Sequence, residues 1–199
     1  MKFFKYIGLT FVLAVLTACS TTNFVSSQTA DDIEPITGSQ VAIYSFLDIR
    51  VTEFGEDMLT EFESAFQNAL SERSVESFYV NFSDSKVAKF SSFSTSVNRQ
   101  AYQQIPIADV IEEYADREAE AGTDFRLVII PSNMRVHEVG HYYDVKWLLL
   151  EAETDEIVWE GVLKGDRTIW WSTNENSDGR AQEFAQLAID AMTAAGLFR

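Results

Sequence analysis

The chain has 199 residues, with 31 Asp and Glu against 15 Lys and Arg, for a formal net charge of −16 at neutral pH. A surface this acidic repels phosphate backbones and anionic headgroups, which argues against nucleic-acid partners. The only cysteine is Cys19, so no intramolecular disulfide is expected.

The chain opens MKFFKYIGLTFVLAVLTAC. Lys2 and Lys5 precede an almost purely apolar run over residues 7–18. That run is short for a permanent span and suits the apolar region of a signal peptide. It closes in Leu16-Thr17-Ala18-Cys19, which resembles the lipobox of bacterial lipoproteins. The alternative is an ordinary secretory signal with an incidental cysteine. The resemblance implies that residues 1–18 are removed, that the Cys19 thiol is lipidated and that its new amino group is acylated. Ser20 rather than Asp at the next position implies, by the same resemblance, the periplasmic face of the outer membrane in a Gram-negative cell. Losing the signal removes two lysines and no acids, so the net charge moves to about −18. One acyl chain holds a protein only marginally, whereas the multiple chains implied here anchor it stably.

Residues 19–39, STTNFVSSQTADDIEPITGS after the cysteine, are rich in Ser, Thr, Asn and Asp and read as a flexible tether. At roughly 5–6 Å times the square root of length, such a tether averages on the order of 24 Å. Residues 40–199 suit one α/β domain, large enough to bury about two-thirds of its unfolded surface. The run QVAIYSFLDI over 40–49 reads as a buried strand, and GEDMLTEFESAFQNALSER as a helix with Leu59, Phe62, Phe66, Ala69 and Arg73 at helical spacing. VESFYVNF then reads as a strand, and a strand–helix–strand unit of this length predicts a parallel crossover. The serine-rich stretch that follows, over residues 83–104, has no assignable periodicity.

Pro106 opens a second helix, with Ile107, Val110, Ile111 and Tyr114 on one face and Gly122 at its end. TDFRLVIIP reads as a strand, and YYDVKWLLLEAETDEIVWEGVLKG as two strands joined over residues 153–156. A closing helix turns Phe184, Leu187, Ala188, Ala191 and Met192 inward. The order β-α-β-α-β-β-β-α predicts an α/β (α+β) sandwich with a mixed sheet of four or five strands and about three helices. Through EAEAGTDFRLVI, WLLLEAETDEIVWEG and the last helix, residues 40–199 resemble a group of bacterial envelope lipoproteins. That group includes the curli-secretion lipoprotein, the activator lipoproteins of penicillin-binding proteins, and the amino-terminal domain of the Tol–Pal β-propeller protein. The resemblance implies an interaction or assembly module.

One stretch spells a chemical motif: His137-Glu138-Val139-Gly140-His141 matches H-E-x-x-H. On a helix, His137 and His141 would share one face and bind zinc while Glu138 activated the bound water, giving a metal-dependent hydrolase. A third ligand is wanting, since Asp144 and Trp147 stand where the extended metzincin pattern has glycine and histidine. The flanks FRLVII and YDVKWLLL are β-branched and aromatic, so a β-hairpin turning near Gly140 is the expected structure. In a strand the period is two, and the i, i+4 relation has no meaning. No G-x-S-x-G, phosphate-binding glycine loop or second cysteine appears, and no cofactor is expected.

Two candidate contact regions remain. Trp170 and Trp171 adjoin in TIWWSTNEN and could form an aromatic platform for a protein or a cell-wall glycan, or be divided between two packed faces. Lys86, Lys89, Phe90 and Phe93 make a basic aromatic stretch in an acidic chain. The sequence therefore predicts a lipid-anchored, non-enzymatic envelope module that binds another envelope protein or itself, without nucleic acid, cofactor or metal.

Overall fold

The computed structural model describes residues 21–30, 35–90, 105–137, 140–168 and 177–198. The strands are β1 (Thr21–Thr29), β2 (Gln40–Ser45), β3 (Glu76–Asn81), β4 (Phe125–His137), β5 (Gly140–Glu151) and β6 (Ile157–Thr168). The helices are α1 (Glu56–Ser71), α2 (Lys86–Phe90), α3 (Ile107–Glu113), α4 (Ala115–Ala121) and α5 (Ser177–Ala194), with a short irregular helical segment over residues 47–54. All six strands form one sheet in the order β1-β6-β5-β4-β2-β3. Strand β2 is parallel to β3 and β4, and the other pairings are antiparallel. The expected mixed-sheet α/β sandwich is present, with one strand more than the sequence predicts.

Strand β2 explains the layering. Five of its six residues are buried because helices cover both faces there. Val41 and Ile43 join a large core under α1 and α5, whereas Ala42 and Tyr44 join a smaller one under α2, α3 and α4. Helix α1 turns Met58, Leu59, Phe62, Phe66 and Leu70 inward at spacings of three and four, with Glu56 and Asp57 favouring its positive end. Against it α5 sets Phe184, Ala188 and Met192, and the Phe62 and Phe184 rings meet edge to face at 5.1 Å. Trp147 of β5 lies in the same aromatic cluster, 5.5 Å from Phe66 and 5.9 Å from Phe184.

Three expectations are corrected. The second helix is two helices, broken at Tyr114 (φ −103°, ψ 8°). The break lets the Tyr114 ring meet Tyr44 edge-on at 6.4 Å, while Glu118 also reaches Tyr44. Strand β4 continues past Pro131 to His137; Pro131 has no N–H to donate, and the register shifts between Pro131 and Asn133.

The third correction concerns the tether. Residues 21–29 are not a free linker but an edge strand, antiparallel to β6 from Thr21 opposite Asp166 to Thr29 opposite Trp159. Ile36 is also fully buried, and its N–H donates to the Leu197 carbonyl. The folded domain therefore begins near Thr21 rather than Gln40. Two physical causes hold β1. It satisfies the outer backbone groups of β6. It also delivers Phe24 between Trp147 and Trp159, at 6.1 and 6.2 Å, over Gly161, where any Cβ would stand 2.8 Å from the Phe24 ring. Trp159 adds a bond from Nε1 to Ser27 Oγ at 2.7 Å.

Candidate functional site

Strands β2 and β3 end in the row where Asn81, Ser45 and Ile129 lie side by side. Strand β4 runs eight residues further and turns back as β5, with β6 and the start of β1 alongside. At ~3.3 Å per residue this arm extends the sheet by roughly 26 Å beyond its two shortest strands. On one face the arm is packed: Tyr143 meets Phe54 at 5.3 Å and Phe184 at 6.4 Å. Gly165 makes room for that ring, since a Cβ there would lie 2.0 Å from Tyr143 Cζ.

The opposite face of the arm carries polar and charged groups. Arg135 and Tyr142 are directly paired across β4 and β5, and both are exposed, Tyr142 at 45%. Lys164 is exposed on β6 opposite Asp144, whose carboxylate accepts the Asn133 amide at 3.2 Å. Further along, Lys146 and Glu160 form an ion pair at 3.1 Å with both side chains partly exposed. Such a half-exposed pair contributes about 0–1 kcal/mol, so this face is arranged for contact with water or a partner more than for stability.

Two residues of the H-E-x-x-H motif, His137 and His141, lie near the end of the arm. His137 ends β4 and pairs with Gly140, which opens β5, while His141 pairs with Val136. The two histidines thus occupy ladder positions of opposite parity on antiparallel strands, as the hairpin reading requires. The metal-hydrolase alternative needs His137 and His141 one helical turn apart, and the extended backbone removes that geometry. Glu138 lies outside the described residues. Among the described residues no group of three His, Cys, Asp or Glu side chains converges on a common point.

Lys86 and Lys89 are exposed on α2, which packs on the smaller core through Val87 and Ala88. The Glu113 carboxylate accepts the Lys86 N–H at 2.8 and 3.0 Å and so caps that helix. Phe90 ends α2, its side chain outside the description, and Phe93, Trp170, Trp171 and Cys19 also lie outside the described residues.

Sequence reasoning passed over one buried polar cluster. Glu118 is 5% exposed; it accepts the Tyr44 hydroxyl at 2.6 Å and a fork from Arg126 at 2.8–2.9 Å. Arg126 also pairs with Asp155 in the β5–β6 turn. Burial, then the bond to Glu118, push the Tyr44 hydroxyl far above the ordinary tyrosine range. The Glu118 hydrogen bond likewise raises Arg126. These bonds make the cluster a clamp joining β2, α4, β4 and the turn. No signal in the sequence marks it, because carboxylates occur throughout. Phe24 did leave a signal: glycine at 161 inside the apolar strand IVWEGVL indicates a close approach by another group.

At the opposite end of the sheet, Pro35, Ser39, Thr123, Asp124, Phe125, Glu151 and Glu153 line an open hollow of about 320 Å³. Asp124 is already engaged there, accepting the Gln40 N–H at 2.8 Å.

No family model and no curated protein matches the chain. Among solved structures, the PelC dodecamer from Paraburkholderia phytofirmans is similar at 11% identity and a TM-score of 0.44, over 86% of this chain and 96% of that one. Lipoprotein GNA1162 from Neisseria meningitidis is similar at 14% identity and a TM-score of 0.40, over 78% and 99%. A Xanthomonas campestris protein of family-model DUF330 follows at 12% and 0.35, over 84% and 87%. At these scores the likenesses assign neither a family nor an activity.

Proposed function

We propose that this chain is a bacterial envelope lipoprotein, anchored through Cys19 to the periplasmic face of the outer membrane, whose domain is a non-enzymatic interaction module. The observation that carries the module reading is the uncovered face of β4, β5 and β6. Between Tyr142 and the β5–β6 turn it presents the half-exposed Lys146–Glu160 pair beside Asp144 and Asn133. Mixed, half-exposed polar groups suit a polar, adaptable protein contact. Two further observations support a non-catalytic role. His137 and His141 sit on paired antiparallel strands, and the buried Glu118 cluster is occupied in holding elements together.

In-cell photocrosslinking tests this reading. A photoreactive residue at Lys146 or Val162 is expected to capture one defined envelope protein or a second copy of this chain. The same probe at Glu72, exposed at the end of α1, serves as control. Adducts no more specific at 146 and 162 than at 72 would remove the module reading.

A further inference from the structure

We infer that the end of the arm around Arg135 and Tyr142 is a lipid-contact surface, so that the sheet stands on the bilayer with its β5–β6 turn pointing away. The inference rests on the proposed anchoring at Cys19. Strand β1 begins at Thr21, only two residues after that cysteine. Two Cα steps span at most about 7–8 Å, so an anchored Cys19 holds the start of β1 at headgroup level. The ladder register fixes what else lies at that height. Thr21 faces Asp166, Asp166 faces Tyr142, and Tyr142 faces Arg135. Glu151, nine residues along β5 from Tyr142, is then roughly 30 Å further from the membrane.

Charge is distributed along the same axis. The arm, residues 21–24, 131–147 and 161–168, holds four basic residues against three acidic ones. The other end, residues 116–126 and 151–156, holds eight acidic residues against two basic ones. In a chain of net charge −16, the arm carries no net negative charge for an anionic bilayer to repel. Exposed Arg135 and Lys164 can meet phosphates there, and exposed Tyr142 has the amphipathic ring suited to the headgroup layer. A tether over residues 19–39 would have left orientation free; the edge strand removes that freedom.

The test uses the full lipidated chain, purified from membranes and reconstituted into vesicles of phosphatidylethanolamine and phosphatidylglycerol. With Cys19 blocked by lipid, Tyr142→Cys, Lys164→Cys or Glu153→Cys supplies the sole free thiol for an environment-sensitive fluorophore. A quencher on the lipid headgroups is expected to dim the probes at 142 and 164 strongly and the probe at 153 little. Reversing the charges with Arg135→Glu and Lys164→Glu is expected to lower the docked-to-undocked ratio reported at 142 by about fivefold per cation. Equal quenching at 142 and 153, or indifference to charge reversal, would overturn the lipid contact while leaving the anchor standing. A Cys19 without added lipid mass would remove the anchor and this orientation together.

Discussion

The body of the molecule and its arm are packed differently. In the body, β2 is sandwiched between helices, and Phe62, Phe66 and Phe184 are almost wholly buried around Trp147. In the arm, Val145, Leu163, Tyr143 and Phe24 pack on one face. The body is covered by helices on both faces, whereas the arm buries one face and exposes Arg135, Tyr142 and Lys164 on the other.

Cutting into the body should cost most. Phe62→Ala removes a ring that touches Phe66, Trp147 and Phe184, and is expected to lower unfolding free energy in urea by about 3–5 kcal/mol. A loss comparable to that of a surface substitution would contradict the described core. Glu118→Ala comes next. It leaves the Tyr44 hydroxyl without its acceptor and Arg126 with Asp155 alone, an expected loss of about 3 kcal/mol. Tyr44→Phe, which removes only one donor, should cost about 1–2 kcal/mol in the same measurement.

In the arm, Gly165→Ala forces the Tyr143 ring to move, and an expected loss of about 1–3 kcal/mol would show as reduced thermal stability. Near-UV circular dichroism should report the displaced tyrosine, while an unchanged spectrum would argue against the close packing.

The smallest effect concerns pH. Asp48 accepts the Ser83 N–H at 2.6 Å through Oδ2, while Oδ1 is buried without a partner. Burial raises its pKa above the ordinary 3.8. Below that value the carboxyl is neutral in folded and unfolded chains alike. As pH rises through the raised folded value, ionisation favours the unfolded chain and stability is lost. Asp48→Asn should therefore lose less stability than the natural chain as the pH rises from below 3.8 toward neutrality, read by urea unfolding at each pH. A pH-independent difference between the two would contradict this.

Periodicity made most of the body legible. The spacing of Leu59, Phe62 and Phe66 and of Phe184 to Met192 identified the two large helices, although the buried face of the first runs through Met58 and Leu70 rather than Ala69 and Arg73, and β-branched runs identified five strands. The hairpin at His137 was legible because its flanks are extended in character. Strand β1 was not, since TTNFVSSQT has little apolar content and its pairing depends on β6, more than 130 residues away. Its composition is that of a linker, and only Phe24 with Gly161 reveals the contact. The Glu118–Arg126 clamp was hidden for a different reason: which of many carboxylates meets which cation is decided by the fold.

Amide hydrogen exchange over residues 21–29 tests the central claim most directly, because the position of the domain relative to its anchor depends on β1 being part of the sheet. The paired register predicts that alternate amides of β1, those facing β6, exchange far more slowly than in an unstructured peptide. Exchange at free-chain rates throughout 21–29 would restore a tether and leave the arm without a fixed relation to the membrane.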